Sequence, residues 1–187
     1  MDILRSRLGR TAAAVAFGAW AAMAGAPGAD ADTAIDREHQ IKVAFVYNFV
    51  RFVDWPTDVL PDSRNTITVC VLSDDPIYVT LESIDGKIVK GRRLTVQRVD
   101  AVKELASCHV AFFGVSEEKR LPQVMPSLEN ASVLTVGEID RFAQSGGIIN
   151  LVVVNNKVRF EINVDQAERA KLKLGSQLLS VATIVKG

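Results

Sequence analysis

The chain has 187 residues and a mass of 20.3 kDa, which is enough for one domain with a hydrophobic core but not for two. Its 22 Lys and Arg residues balance 22 Asp and Glu residues, so it lacks the cationic excess with which proteins neutralise nucleic-acid phosphates. The 48% hydrophobic content excludes a disordered chain, and two His and two Cys leave little material for a metal centre.

Residues 1–31 have the organisation of a secretory signal peptide. Arginines at positions 5, 7 and 10 precede an uncharged, Ala-rich run over residues 11–26, and Ala29-Asp30-Ala31 places small residues at a cleavage site. A membrane-spanning anchor is the alternative, but the apolar run is shorter than the roughly 20 residues that cross a bilayer. We predict cleavage after Ala31 and export of residues 32–187 as one soluble domain.

Export determines how the two cysteines are interpreted. Cys70 and Cys108 both lie in the predicted exported domain, and an even pair in an oxidising compartment favours a disulfide. Such a bridge closes a loop of about 38 residues and stabilises the fold by roughly 3–4 kcal/mol. Two buried free thiols are the alternative, whereas redox catalysis is disfavoured because there is no C-x-x-C pair.

Residues 36–53 contain neither Pro nor Gly, and apolar residues at helical spacing predict a helix. Phe45, Phe49 and Phe52 share one side of this helix, while valines occupy much of the opposite side. A helix that is apolar on nearly all sides is buried on two sides. We therefore predict that it lies deep in the domain or contacts a second chain, and that it ends at Trp55-Pro56.

The remaining chain alternates between predicted strands and predicted helices. The strands are at 66–72, 87–89, 94–99, 109–113, 132–136, 148–154 and 158–162. The helices are at 76–84, 102–106, 138–143, 165–172 and 176–185, with another beginning at Ser116. This order predicts a single α/β domain: a mostly parallel central sheet flanked by helices on both faces, with a C-terminal antiparallel hairpin edge.

Three loops follow the predicted parallel strands, at the edge of the sheet where α/β proteins bind ligands. The first contains Ser73 and Asp74, the second spans residues 114–117, and the third spans residues 135–138. Each places a hydroxyl or acidic side chain next to a helix start, so each is a candidate for contact with a small polar ligand. Helix capping alone is the simpler interpretation of all three. A receiver domain is excluded because Gly114 stands where its phosphoacceptor Asp is needed.

Motifs of catalysis and nucleotide binding are missing from the sequence. There is no G-x-S-x-G elbow, no G-x-G-x-x-G fingerprint and no phosphate-binding P-loop. His109 lies inside an apolar strand, which is more typical of a core residue than of a general base, and His39 has no Cys or acidic residue at ligand spacing. We predict that the chain is not an enzyme and holds neither a metal nor another cofactor.

The segment K-V-R-F-E-I-N over residues 157–163 alternates between apolar and polar side chains. Arg159, Glu161 and Asn163 share one side of this predicted strand. An edge strand with one solvated face is one interpretation. A polar recognition stripe is the other, because the Arg159 guanidinium can make planar, bidentate hydrogen bonds.

Several segments in a fixed order carry a resemblance to a known family. They are K-V-A-F-V-Y-N-F-V-R-F-V-D-W-P (42–56), V-C-V-L (69–72), C-H-V-A-F-F (108–113), V-L-T-V-G-E (133–138), K-V-R-F-E-I-N (157–163) and S-Q-L-L-S-V-A-T-I-V (176–185). Together they resemble the YfiR/HmsC family of periplasmic proteins over about residues 38–186. Cys70 and Cys108 match that family's bridge between the first strand and C-H-V.

The resemblance implies a periplasmic, homodimeric repressor of an inner-membrane diguanylate cyclase. Such a protein binds the periplasmic sensor domain of a YfiN-like GGDEF cyclase, which lowers cyclic di-GMP and biofilm formation. The alternative is an exported module that binds a small ligand at the strand-end loops. We predict two sets of contact residues: Arg159, Glu161, Asn163, Trp55, Ser73 and Asp74 for the partner or ligand, and Phe45, Phe49 and Phe52 for the dimer.

Overall fold

A computed structural model describes residues 29–187, with side chains from residue 33 onward. Most of the predicted signal peptide, residues 1–31, lies outside the described residues, so its cleavage stays a prediction. Within the described part of the chain, no helix is both long enough and apolar enough to cross a membrane.

The first described element is α1, Ala29–Phe52, which confirms the predicted helix and extends it at its N-terminus. The side of α1 that carries Val43, Val46 and Val50 is buried against the sheet, whereas Ile41 and Ala44 on the outer side are exposed. The prediction of burial on two sides is therefore wrong within the single chain. The reason is that α1 belongs to an outer layer, so only one of its sides faces the sheet.

Two sheets follow along the described chain. A small pair consists of β1 (Val53–Asp54) and β9 (Lys173–Leu174). The central sheet contains β2 (Thr66–Leu72), β3 (Ile88–Val89), β4 (Arg92–Val99), β5 (Val110–Phe113), β6 (Leu134–Gly137), β7 (Ile149–Val154), β8 (Lys157–Asn163) and β10 (Thr183–Val185). The other α-helices are α2 (Ile77–Leu81), α3 (Leu121–Leu128), α4 (Val164–Arg169) and α5 (Ser176–Leu179), and 3₁₀ helices span Glu82–Ile84, Val102–Ser107 and Val115–Arg120.

The central sheet has the strand order β10-β8-β7-β6-β5-β2-β4-β3. Five neighbouring strands, from β4 to β7, run parallel, and β3 lies antiparallel at one end. At the other end β8 pairs antiparallel with β7 through the turn at Asn155-Asn156, where both residues have positive φ. This confirms the mostly parallel α/β sheet and its hairpin. One further strand, β10, lies outside the hairpin and pairs parallel with β8.

Two predicted helices are wrong. Residues 138–143 form turns, because Arg141 adopts a positive φ of 54° and the Phe142 ring lies against Gly137 and Gly147. A Cβ atom at either glycine would come within 3 Å of that ring. The predicted helix at 176–185 stops at Leu179, since the β-branched residues that follow pair with β8 as β10.

The sheet has an apolar layer on each face. On one face α1, α2, α4 and α5 cover alternate residues of the strands, including Val69 and Val71 of β2. On the other face α3 and Val102–Ser107 cover Leu72 together with Cys70 and Cys108. A disulfide joins these two cysteines, whose Cα atoms are 6.1 Å apart, and it ties the middle of β2 to the start of β5.

We expect removal of this disulfide to destabilise the fold substantially. The bridge spans 38 residues of sequence, and freeing a loop of that size costs about 3–4 kcal/mol by the chain-entropy argument. The double variant Cys70→Ala/Cys108→Ala should therefore unfold at lower urea concentration than the oxidised wild type. Adding a reducing agent should lower the urea midpoint of the wild type and leave that of the double variant unchanged. Equal urea midpoints for the two proteins without reducing agent would contradict the expectation.

Candidate functional site

The carboxyl ends of the parallel strands carry a buried ion cluster. Lys42 of α1 is only 7% exposed, and its Nζ lies 2.6 Å from Glu38 Oε1, one helical turn earlier. The same Nζ also donates to the carboxylate of Glu138, the residue that follows β6. Burial opposes the charged form of Lys42, but the hydrogen bonds to Glu138 and Glu38 outweigh it, so the Lys42 pKa is raised. The cluster fixes α1 to the end of the sheet.

A cleft of about 320 Å³ opens beside this cluster, between α1, the end of β6 and the upper half of β7. Glu38, Lys42, Glu138 and Asp140 supply its charged lining, so carboxylates outnumber ammonium groups three to one. Asn150 of β7 also lines the cleft and is only 1% exposed, and its Oδ1 atom has no hydrogen-bond partner among residues 33–187. Buried amide oxygens are normally satisfied, so this orphan acceptor indicates a position suited to a donor from outside the chain.

The predicted ligand residues Ser73 and Asp74 lie at a different point, where the chain passes from β2 towards α2. Ser73 adopts a φ of 61°, and its Oγ accepts a 2.8 Å hydrogen bond from Arg120 Nη1. The same Arg120 nitrogen donates to the buried Glu117 carboxylate at 2.9 Å. Exposed Asp74 pairs with Arg98. The polar groups of the first two strand-end loops therefore bind one another.

The crevice between these two loops is occupied by a side chain of the protein itself. The connections that follow β2 and β5 leave in opposite directions along the sheet. Open α/β sheets bind ligands at the point between two such strands. Here the buried Asp75 carboxylate accepts from the Ile77 N–H at 3.0 Å and lies against Gly114. A Cβ atom at Gly114 would lie 1.5 Å from Asp75 Oδ2. Asp75 thus fills the space in which a small ligand would bind.

Trp55 and His109 form an internal contact at the opposite end of the strands. Trp55, a predicted binding residue, is only 8% exposed, and its Nε1 donates to the His109 carbonyl at 3.1 Å. The two rings meet edge to face at 6.2 Å. The prediction that Trp55 contacts a partner is thus not supported by its position, because the indole is used within the core. The prediction that His109 is a satisfied core residue is confirmed.

The environment of His109 disfavours its charged form. Burial is the largest cause, and the guanidinium groups of Arg64 and Arg92 add repulsion, which together lower the His109 pKa to about 4. Its Nδ1 accepts from the Thr68 N–H at 3.0 Å, so a second proton on the ring would break that hydrogen bond. His109 is therefore a neutral structural residue near pH 7.

The predicted polar stripe on β8 divides into surface and core. Arg159 is exposed and makes no hydrogen bond or ion pair with the described residues, and it lies opposite Val152 of β7. Glu161 is half-buried and accepts from Gln144 Nε2 at 3.4 Å. Asn163 is buried: its Nδ2 donates to the Ala143 carbonyl at 2.8 Å, and its Oδ1 accepts from the Gln166 N–H at 3.1 Å. Asn163 is therefore the N-cap of α4 and not part of a recognition surface.

The three predicted dimer residues differ in exposure. Phe49 is fully buried, and its ring meets Phe160 of β8 edge to face at 5.1 Å. The expectation that Phe49 contacts a second chain therefore fails, because its ring is enclosed by its own sheet. Phe45 and Phe52 are half-buried at the margins of the same contact.

Sequence reasoning named the third strand-end loop, residues 135–138, as a candidate contact, and its Glu138 lines the cleft, but it missed the ion pairs that join Glu138 and Glu38 to Lys42. A single lysine on an otherwise apolar stretch of helix was the available signal at Lys42, because a charge in such a position needs a buried partner. No sequence signal pointed to Asn150. Among residues 33–187 no group of three His, Cys, Asp or Glu side chains is arranged to hold a metal ion.

Comparison with known proteins identifies a family. The family profile described as YfiR/HmsC-like matches residues 39–183, which is most of the chain. A solved conserved domain protein from Vibrio cholerae O1 biovar El Tor shares 13% identity, with 79% of this chain and 60% of that chain covered, at a TM-score of 0.49. An ABC domain in complex with L-Trp from Streptococcus pneumonia shares 12% identity, with 69% and 59% covered, at a TM-score of 0.48. The chain thus spans about three fifths of both structures, and neither similarity bears on function.

We expect acid to weaken the fold through His109. Its pKa of about 4 lies below the ordinary value of 6.5, so the unfolded chain binds the extra proton first as pH falls. The stabilising contribution of neutral His109 is complete above pH 6.5 and is lost progressively between pH 6.5 and 4. The loss over that window is about 3 kcal/mol, from roughly 1.4 kcal/mol for each pH unit.

Urea unfolding of wild type and His109→Asn between pH 7.5 and 4 measures this effect. The Asn Oδ1 takes the position of Nδ1 as acceptor for the Thr68 N–H, and the variant cannot titrate, so its stability should fall less steeply below pH 6.5. Carboxylates titrate in both proteins and cancel in the difference. Parallel curves would show that His109 is not the group responsible.

Proposed function

The chain belongs to the YfiR/HmsC-like family, and on this premise we propose that it represses an inner-membrane diguanylate cyclase by binding the cyclase's periplasmic sensor domain. The family is a regulatory and non-catalytic one, its members are periplasmic, and it is associated with control of cyclic di-GMP synthesis. The family match over residues 39–183 is the observation that carries the proposal. The partner is a YfiN-like protein with a cytoplasmic GGDEF domain, and repression lowers cyclic di-GMP and biofilm formation.

The projecting β7–β8 hairpin supports a protein partner as the target. It presents the Arg159 guanidinium, which has no partner among the described side chains, diagonally across from Val154, which is 51% exposed. An arginine beside exposed apolar side chains is typical of protein interfaces, where Arg is enriched and contacts are both apolar and hydrogen-bonded. We place Arg159 and Glu161 in the partner contact, and leave Trp55 and Asn163 out because their side chains are used internally.

A module that binds a small ligand at the strand-end loops has less support, because the first two of these loops are filled from within. Asp75 fills the crevice between them, and Arg120 already binds both Ser73 and Glu117. A ligand entering there would have to displace these contacts. A ligand-dependent rise in melting temperature that is lost in Ser73→Ala would favour this function over the repressor.

Deletion of the gene tests the proposed function directly. In a strain that expresses the cyclase, we expect deletion to raise cyclic di-GMP and biofilm formation, and wild-type complementation to restore both. Arg159→Ala should complement poorly, because an interface arginine typically contributes more than 1 kcal/mol to binding. Arg169→Ala removes an equally exposed arginine from α4 and should complement fully.

Cyclic di-GMP measured by mass spectrometry gives the readout, with periplasmic levels of each variant checked by immunoblot. Unchanged cyclic di-GMP on deletion would contradict the proposed function as a whole. Full complementation by Arg159→Ala would contradict only the placement of the contact on the hairpin.

We further propose that the chain is a homodimer whose two copies meet through the outer side of α1. This side exposes Ile41 and Ala44 and is bordered by the half-buried rings of Phe45 and Phe52. Ile41 and Ala44 are exposed apolar residues between Arg37 and Arg51 on this side, and a second copy can bury them there.

Ala44→Glu should convert the dimer to a monomer while leaving the melting temperature of the fold nearly unchanged. The residue is exposed in the single chain, so the carboxylate costs little there but is desolvated in the dimer. Ala106→Glu places the same change on the opposite face of the sheet and should leave the dimer intact. Sedimentation velocity distinguishes the species; a dimer that survives Ala44→Glu would refute this interface.

A further inference from the structure

The strands β6 and β7 end at different heights. Their pairing stops at Gly137 and Asn150, where β6 ends, whereas the pairing of β7 with β8 continues to Val154 and Lys157. In the described part of the chain, no strand lies beside residues 151–154 of β7 on the side where β6 would continue. The acidic cleft next to Lys42 is the space left there, since Leu151, Val152 and Val153 line it.

The hydrogen-bond alternation of the hairpin shows which backbone groups face this space. The Asn163 N–H donates to the Ile148 carbonyl at 2.8 Å, which marks a hydrogen-bonded pair between the two chain segments. In an antiparallel ladder such pairs recur at every second residue, so Asn150, Val152 and Val154 also bond to β8. The N–H and C=O groups of Leu151 and Val153 therefore point away from β8. The Leu151 N–H makes the last hydrogen bond to β6, at the Gly137 carbonyl, which leaves the Leu151 C=O and the N–H and C=O of Val153 facing the cleft.

Side chains around this open edge are suited to a second strand. Val153 is 50% exposed, and Val115, from the neighbouring strand-end loop, is 60% exposed. The orphan Oδ1 of Asn150 lies at the lower end of the edge, where β6 stops. Open edges bind extended peptides through main-chain hydrogen bonds, while nearby side chains select the sequence.

The charge of the cleft indicates what kind of segment it takes. Three carboxylates, from Glu38, Glu138 and Asp140, face one ammonium group, that of Lys42. Lys42 is already shared between Glu38 and Glu138, which leaves the exposed Asp140 carboxylate without an ion pair in the described residues. A segment with a Lys or Arg side chain at this point would complement the excess negative charge.

We propose that an extended segment of the partner cyclase, carrying a basic side chain, adds to the edge of β7 as a strand beside residues 151–154. This inference rests on the proposed function, since the cyclase supplies the segment. The Leu151 carbonyl and the N–H and C=O of Val153 hold the segment, the valines contact its apolar side chains, and the basic side chain meets Asp140.

The backbone N–H of Val153 provides a selective test. Val153→Pro removes that N–H but leaves the ladder with β8 intact, because Val153 does not bond to β8 and proline is tolerated where the N–H faces outward. Val153→Thr retains the N–H and the branched side-chain shape. Binding is measured to the full-length cyclase in lipid nanodiscs by biolayer interferometry, with melting temperatures confirming that each variant is folded.

We expect Val153→Pro to bind about tenfold or more weakly than wild type, and Val153→Thr to bind like wild type, because only the proline removes a main-chain donor and crowds the edge. In the wild type, amide exchange at Val153 should slow on binding. Failure of the wild type to bind the cyclase would refute the proposed function and this inference together. Wild-type-like binding by Val153→Pro, with unchanged exchange at the Val153 amide of the wild type, would refute this inference alone.

Charge reversal tests the basic segment separately. Asp140→Lys should weaken binding and reduce its dependence on salt, whereas Asp58→Lys, the same change at an exposed site outside the cleft, should do neither. Equal effects of the two variants would overturn the assignment of a basic side chain to the cleft.

Discussion

The structure depends on how α1 is held on one face of the central sheet. Phe45 and Phe49 meet the ring of Phe160 at 5.3 and 5.1 Å, and Lys42 binds the carboxylates of Glu38 and Glu138 at the end of the sheet. The aromatic contacts supply apolar burial, while the ion cluster fixes the position of the helix along the strands, because a buried ammonium group tolerates few other placements. The same placement leaves the outer side of α1 free for a second copy and forms one wall of the acidic cleft.

The strand-end loops show why the chain is better suited to contact than to ligand capture. Asp75 caps the start of α2 from within the crevice, and this is possible only because Gly114 has no Cβ atom. Arg120 in turn neutralises the buried Glu117. These groups satisfy one another, so the first two loops leave no open polar group for a small ligand. Among the described residues two buried side-chain oxygens lack a hydrogen-bond partner, Gln144 Oε1 and Asn150 Oδ1, and Asn150 lies farther along the sheet, on the strand that forms the β7–β8 hairpin.

The sequence predicted correctly those elements whose conformation depends on residues close to one another in the chain. The β-branched run of β2 gave its bounds correctly, and Asn155-Asn156 predicted the hairpin because both residues tolerate positive φ. Elements that depend on distant contacts were missed. Residues 183–185 form a strand because β8 offers an edge, and Trp55 is buried because the His109 carbonyl lies within reach of its indole. Of the predicted contact residues, Arg159 lies on the surface, whereas Asn163 and Phe49 serve the core, since alternation in sequence does not reveal what covers each face.

The hairpin connects the two proposed contacts of the partner. Because β7 continues past β6, its upper half has an open edge on one side and carries β8 on the other, so one projecting ribbon presents both main-chain groups and the Arg159 guanidinium. Main-chain pairing alone selects poorly among sequences, and a single exposed arginine alone binds weakly, but their combination on one ribbon requires a partner that matches both at fixed spacing. In the proposed complex, specificity for one cyclase follows from this fixed spacing between the open edge of β7 and Arg159 on β8.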